Sequence, residues 1–120
     1  MDITLGDEDS STYFGILIRA IMHTETNDII EGPCKVVNEI LSKYECENIH
    51  EFVSGENLNI INNPRKFIVK KSSKLKQMPI FQGPRIGLSD KYPKFKDQPY
   101  RFVIFKDKIK KEKTKLKMID

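Results

Sequence analysis

The sequence contains no apolar run long enough to cross a membrane. Such a span needs about 18 consecutive apolar residues, whereas the nearly continuous apolar stretch 13–22 is interrupted by Arg19. The first residues, Met1-Asp2-Ile3-Thr4, lack the basic region and apolar stretch of a signal peptide. We therefore expect a soluble intracellular protein with no membrane partner, located in the nucleus if the source is eukaryotic and otherwise in the cytoplasm.

Cysteine is scarce. The chain has two cysteines, Cys34 and Cys46, twelve positions apart and without a second pair. A zinc site needs further cysteine or histidine ligands at close spacing, and a disulfide framework needs further pairs of cysteines. We expect two reduced thiols, no metal site and no cofactor.

Basic residues are few in the first half of the chain and abundant in the second. Residues 1–60 contain three basic and twelve acidic residues, a net charge of −9, whereas residues 61–120 contain eighteen basic and five acidic residues, a net charge of +13. An AT-rich genome would raise the lysine content, but it would not explain this segregation. The pattern indicates that one end or face of the protein meets a polyanion while the other is repelled by it.

At 120 residues and 38% hydrophobic content, the chain has material for one domain with a modest core. The predicted fold is α/β in the broad sense (α+β), a single domain with a curved, mostly antiparallel sheet flanked by few helices. We expect this domain over residues 1–105, with a basic linker at 70–76 inside it. In residues 106–117 seven of twelve are lysine, so 106–120 is predicted to be a mobile tail.

The clearest predicted helix starts at Gly32-Pro33, because proline at the first helical position loses no hydrogen bond. Apolar residues then recur at helical spacing: Val36, Val37, Ile40, Leu41 and Tyr44. Asn48 followed by Glu51 predicts a capping box on a short helix ending near Gly55.

Several apolar segments predict strands. Residues 13–22 are typical of a strand buried on both faces, so Arg19 within it needs an anion, either a carboxylate of the protein or a phosphate of a ligand. The other predicted strands lie at 58–61, 66–69, 79–88 and 100–105.

Four segments carry a family resemblance: Gly15-Ile16-Leu17-Ile18-Arg19-Ala20-Ile21, Gly32-Pro33-Cys34-Lys35, Gly83-Pro84-Arg85-Ile86-Gly87-Leu88 and Pro99-Tyr100-Arg101-Phe102-Val103-Ile104-Phe105. Together they resemble the C-terminal half of the alkyladenine (3-methyladenine) DNA glycosylase family. The resemblance implies an enzyme of base-excision repair that hydrolyses the N-glycosidic bond of an alkylated or otherwise damaged purine by a positioned water. Its partner would be double-stranded DNA, from which the purine is flipped.

The resemblance also implies roles for six residues: Arg19 and the carbonyl of Ile86 as catalytic groups that hold the water, Asp2 and Leu17 as base-pocket residues, and Lys35 and Arg85 as DNA-binding residues. Leu17 would share a strand face with Arg19, and Gly87 would allow a close backbone approach. Each role has a structural alternative, since Arg19 would also suit a core ion pair and Lys35 a solvated helix surface.

The sequence departs from the family pattern at three points. Cys34 stands where the family has glycine, which would cost about 1 kcal/mol if the site needs a positive φ. Asp2 stands where the family has an asparagine that excludes bases with an extra amino group, so base discrimination should change. The N-terminal segment with the general base is absent, which makes a separate chain that supplies this half a candidate partner.

Two other functions stay open. The chain would also suit a non-catalytic nucleic-acid-binding remnant of the family, with the basic C-terminal half as a phosphate-tracking surface. It would also suit an unrelated small α/β binding domain. Salt-sensitive DNA binding through residues 61–120 is expected for the first of these.

Overall fold

The structure, a computed structural model, describes residues 1–7, 9–54, 67–68, 70, 72–73 and 78–119. The described residues form an α+β fold with antiparallel strand pairing and few helices, as the sequence predicts. The chain divides into two compact units, Met1–Lys70 and Lys71–Asp120, here called the first unit and the second unit. The division falls within the basic segment predicted as a linker, and not at the expected boundary at residue 105.

The first unit begins with a hairpin of β1 (Asp2–Asp7) and β2 (Thr12–Leu17). The predicted strand over 13–22, buried on both faces, is wrong. Tyr13 is 68% exposed and β2 ends at Leu17. The reason is that two strands alone cannot bury the faces of their own hairpin, and β2 is largely exposed on both faces.

A second hairpin leads into the main helix. Strand β3 (Ala20–Met22) pairs with β4 (Ile29–Glu31), and α1 (Pro33–Lys43) follows after Gly32 at its N-cap. The apolar face is the predicted one, because Val36 is fully buried and the other four apolar residues of the face are half-buried. The prediction of this helix is confirmed.

The predicted capping box at the start of the second helix is confirmed, although one of its hydrogen-bond donors differs from the expected one. Helix α2 (Ile49–Ser54) begins where the Glu51 N–H donates to Asn48 Oδ1 at 3.0 Å. The Glu51 carboxylate accepts a hydrogen bond at 2.7 Å from the N–H of Glu47, one residue before the expected donor. Both contacts satisfy backbone N–H groups that lack a partner inside the helix.

Three aromatic rings close the core of the first unit. The ring of Phe52, which is buried, lies edge-on to Tyr44 at 5.1 Å and to Phe67 at 5.9 Å between centroids. Such edge-on pairs add to the free energy of burial. The predicted strand 58–61 lies outside the described residues, and of 66–69 only Phe67 and Ile68 are described, neither in a strand.

The second unit contains a three-stranded sheet. Strand β5 (Phe81–Gly83) lies in the centre, with β6 (Arg101–Val103) on one side and β7 (Lys117–Met118) on the other, both antiparallel to it. A short helix, α3 (Pro93–Lys96), lies between β5 and β6 in the chain. The strands predicted at 79–88 and 100–105 are present but reduced to three residues each.

The lysine-rich segment is part of this sheet, so the expectation of a solvated mobile tail over 106–120 is wrong. It forms 3₁₀ turns at Lys106–Lys108 and Lys113–Lys115 before β7. Two of its four apolar residues, Ile109 and Leu116, are the buried hydrophobic side chains among the described residues of the second unit. These two buried side chains are enough to hold the segment in place, because β7 also forms backbone hydrogen bonds with the edge of β5.

Gly83 is the position where this packing is most sensitive. A Cβ atom there would lie 2.7 Å from the carbonyl oxygen of Lys115 and 3.2 Å from Leu116 Cδ2. Gly83→Ala should therefore lower the free energy of unfolding by about 1–3 kcal/mol, measured by chemical denaturation. It should also speed hydrogen exchange of the Ile119 N–H, which donates to the Ile80 carbonyl at 2.8 Å.

Gly15→Ala is the matched control, because a Cβ there would meet nothing closer than the Ile3 carbonyl oxygen at 3.9 Å. Its effect should stay within about 0.5 kcal/mol. Equal stability of the two variants would show that the C-terminal segment does not pack against β5.

Candidate nucleic-acid interface

Four of the six site residues predicted from the resemblance lie in the first unit. Asp2 and Leu17 are directly opposed across the β1–β2 hairpin. Arg19 is half-buried between β2 and β3, and its carbonyl accepts a hydrogen bond from the Gly32 N–H at 2.8 Å. The break between β2 and β3 means that Leu17 and Arg19 do not share one strand face, contrary to prediction.

The same hydrogen bond brings the Arg19 segment to the turn that holds Lys35. The positive φ in this turn belongs to Gly32, at 127°, whereas Cys34 lies inside α1. The strain expected from a cysteine at this position is therefore absent. Lys35 is exposed, and its Cγ lies 3.9 Å from the point where Gly32 would carry a Cβ.

Arg85 and Ile86 belong to the second unit, directly after β5. Ile86 and Gly87 form a turn in which Gly87 has φ of 78°. No atom lies within 4 Å of the point where a Cβ of Gly87 would be. The glycine therefore supplies a left-handed conformation, and the space beside its backbone is open.

This turn and the start of α3 border an open cleft of about 380 Å³. Apolar, aromatic, polar and basic residues line it together: Arg85, Gly87, Leu88, Ser89, Tyr92 and Phe95. Tyr92 is the N-cap of α3, and the Phe95 N–H donates to its carbonyl at 3.0 Å. Because residues three apart on a helical turn are neighbours, both rings border the same cleft.

Positive charge adjoins the two rings. Lys94 Nζ lies 5.6 Å from the centroid of the Phe95 ring, within the range of a cation–π contact. Lys96 Nζ lies 2.5 Å from Asp90 Oδ1, and this ion pair ties the end of α3 to the loop before it. The hydrogen bond from Lys96 lowers the pKa of Asp90, and the same contact raises the pKa of Lys96.

The second unit as a whole is strongly basic. Residues 71–120 contain fifteen basic and five acidic residues, a net charge of +10, against −6 for residues 1–70. Lysines also lie over the rings of Phe81 and Phe105, at 5.1 and 5.8 Å. The charge segregation seen in the sequence therefore coincides with the division into units.

Tyr92 and Phe95 were given no role by the sequence motifs. The signal for them is the run Lys91-Tyr92-Pro93-Lys94-Phe95-Lys96, in which basic and aromatic residues are interleaved. Such interleaving is typical of surfaces that contact both the phosphates and the bases of nucleic acids.

A second open pocket, of about 400 Å³, lies in the first unit and is polar. It is bordered by His23, whose Nε2 lies 3.0 Å from Glu39 Oε1. In the part of the chain that the structure describes, no group of three or more histidine, cysteine or acidic residues is placed to hold a metal ion. Within the same part, no helix has the length and apolar character to cross a membrane.

Comparison with known proteins gives one informative similarity. The chain is 47% identical over 131 residues to Uncharacterized protein L759 of Acanthamoeba polyphaga mimivirus, and this similarity takes in the whole chain and 61% of the relative. The chain thus spans about three-fifths of the length of that protein. No protein-family model and no solved structure matches the chain, so the glycosylase resemblance stays a prediction.

Substitution of Lys96 tests the ion pair that Lys96 forms with Asp90 beside the cleft. Lys96→Gln should raise the pKa of Asp90 towards its ordinary value of 3.8, measured by NMR titration of the carboxyl carbon. Lys94→Gln removes the same charge without touching Asp90 and should leave that pKa nearly unchanged. An Asp90 pKa insensitive to Lys96→Gln would contradict the ion pair.

The pair also has a defined pH window. Because the folded-state pKa of Asp90 is lowered, its contribution to stability is present above the ordinary value of 3.8 and is lost as the pH falls through the folded-state pKa. Because the pKa of Lys96 is raised, its contribution is present below the ordinary value of 10.5 and is lost as the pH rises through the folded-state pKa.

Proposed function

We propose that the second unit is a non-catalytic nucleic-acid-binding module that tracks the phosphate backbone. The observation that carries this proposal is the net charge of +10 on one compact unit whose neighbour in the chain has a net charge of −6. Neutralising phosphates with lysine and arginine releases counterions and dominates the affinity of such surfaces.

The packing of the lysine-rich segment supports the proposal. A segment that pairs with β5 has an ordered backbone that holds its lysines on a folded surface, so less backbone must be ordered on binding than in a flexible tail. Five acidic residues can neutralise at most a third of the fifteen basic ones. The remaining charge makes the whole unit attractive to a polyanion.

The acidic first unit complements this arrangement. Its charge repels phosphates, so a nucleic acid that approaches the chain is steered to the second unit. On this proposal Lys35 has a minor part in binding, because it belongs to the unit with a net negative charge.

Binding should be strongly salt-dependent. The full chain should bind a fluorescently labelled DNA or RNA oligonucleotide, and its affinity should fall at least roughly tenfold between about 50 mM and about 200 mM salt, measured by fluorescence anisotropy. Affinity that is independent of salt would overturn the proposal.

Two double variants with the same charge change locate the surface. Lys91→Gln with Lys94→Gln should lower the slope of log affinity against log salt by about 1 for each lysine removed. Lys35→Gln with Lys43→Gln removes two charges from the first unit and should leave the slope unchanged. The reverse result would assign DNA binding to Lys35 and the first unit.

A second candidate function is the glycosylase reaction predicted from the motifs. It is favoured by the contact between two motif segments in the first unit, where the Arg19 carbonyl accepts from the Gly32 N–H, and by the opposition of Asp2 and Leu17 across the hairpin. On this hypothesis Arg19 would help to hold the positioned water.

The two functions predict different products. A glycosylase incubated with duplex DNA containing hypoxanthine or 1,N6-ethenoadenine would give abasic sites that alkali converts into strand breaks, and Arg19→Ala would abolish them. We expect the purified chain to bind this DNA without forming breaks. Breaks that depend on Arg19 would instead favour the enzyme.

A further inference from the structure

We propose that the cleft between the Ile86–Gly87 turn and the start of α3 binds one unstacked base of a single-stranded nucleic acid. This inference rests on the proposed nucleic-acid binding of the second unit and adds a site and a substrate class to it. The base would lie against Tyr92 and Phe95, and Arg85 lines the same cleft.

The chemistry of the lining matches a base. Leu88, Tyr92 and Phe95 offer apolar and aromatic surface, and Arg85 offers N–H donors that suit a base edge or a phosphate oxygen. Stacking of a base on an aromatic ring tolerates any sequence, because every base has a π face. The site therefore predicts affinity for single strands without strong sequence preference.

The rings are accessible to such a ligand. Tyr92 is 57% exposed and Phe95 is 44% exposed, so a base can reach them without any opening of the fold. A base inside a duplex is stacked on its neighbours and paired, and extruding it costs free energy. Single-stranded nucleic acid avoids this cost, which is the physical reason for the expected preference.

The local structure holds the cleft in shape. Pro93 fixes φ between Tyr92 and the helical turn, and the Lys96–Asp90 pair closes the loop that precedes α3. On the opposite side, Gly87 has the left-handed conformation that forms the turn. A preformed cleft loses less conformational entropy on binding than a flexible loop does.

Charge complementarity selects nucleic acid over a neutral aromatic ligand. Lys91 and Lys94 lie in the six residues that carry both rings, and Arg85 lines the same cleft. A base that stacks on the rings would bring its 5′ and 3′ phosphates among these cations. The same cations would gain nothing from a neutral ligand of similar shape.

The test compares single-stranded and duplex oligonucleotides of about 12 nucleotides, a length within the usual site size of stacking surfaces, on the full chain at constant low salt. Tyr92→Leu and Phe95→Leu keep the charge and the apolar character while removing a ring. Each should weaken single-strand binding by about tenfold and duplex binding by less than about twofold. The salt slope should not change, because no phosphate contact is removed.

Phe102→Leu is the matched control. Phe102 is an exposed ring of the same unit, on β6, that does not line the cleft. This variant should bind single strands like the unaltered chain. A loss equal to that of Tyr92→Leu would overturn the assignment to the cleft.

A spectroscopic measurement avoids dependence on the variants. An oligonucleotide that carries 2-aminopurine should lose fluorescence when it binds the unaltered chain, because the base stacks on a ring. Binding with no change in fluorescence would overturn the inference.

Failure of the cleft and failure of the proposed function give different results. If the unaltered chain binds neither single strands nor duplex at low salt, nucleic-acid binding by the second unit is wrong, and the cleft assignment falls with it. If it binds both with a steep salt dependence, and both leucine variants leave single-strand affinity unchanged, only the cleft assignment is wrong.

Discussion

The pairing of the C-terminal segment with strand β5 is the interaction on which the second unit depends. Ile109 and Leu116 are the buried hydrophobic side chains among the residues of this unit that the structure describes, and both come from this segment. Without β7, strand β5 would become an edge and the sheet would shrink to the β5–β6 pair, which is marginally stable by itself. The cleft depends on the same contact, because β5 leads directly into the turn that forms one of its sides.

Several polar contacts hold this segment in register. The Ile119 N–H donates to the Ile80 carbonyl at 2.8 Å, and Lys106 Nζ donates to the Leu116 carbonyl at 2.9 Å. Gly83 lets the backbone of Lys115 approach β5 more closely than any side chain would allow. The end of the segment is therefore fixed by backbone contacts with the β5 region, while most of its lysines remain at the surface.

Local rules were enough to predict α1 and α2 from the sequence. Pro33 at the first helical position, the recurrence of apolar residues from Val36, and the Asn48 cap each act within a few residues. Composition failed for residues 106–119, because Ile109 and Leu116, the buried apolar side chains among many lysines, carry no periodic signal. Their burial depends on a strand some 35 positions earlier in the chain, since Phe81 pairs with Met118, and no local pattern reports such a pairing.

The candidate site was predictable only in part for a related reason. The interleaved lysines and aromatics of residues 91–96 are visible in the sequence, but a cleft also requires that a separate turn at Ile86–Gly87 lie opposite α3. The family resemblance drew attention to Arg85 and Ile86 as backbone and phosphate contacts. In the structure, the residues of this turn line one cleft with two rings that the motifs do not include.

The charge of the second unit links its stability to its proposed ligand. A net charge of +10 on 50 residues repels itself, and this repulsion disfavours the compact state most at low ionic strength. The lysine-rich segment bears much of that repulsion and also supplies the buried residues, so the two effects oppose each other in the same stretch of chain. A polyanion that binds the folded surface better than the unfolded chain removes the repulsion and shifts the equilibrium towards the folded state. The basic unit is thus least stable without a bound polyanion, and the ligand proposed for it would favour the packing of the lysine-rich segment against β5.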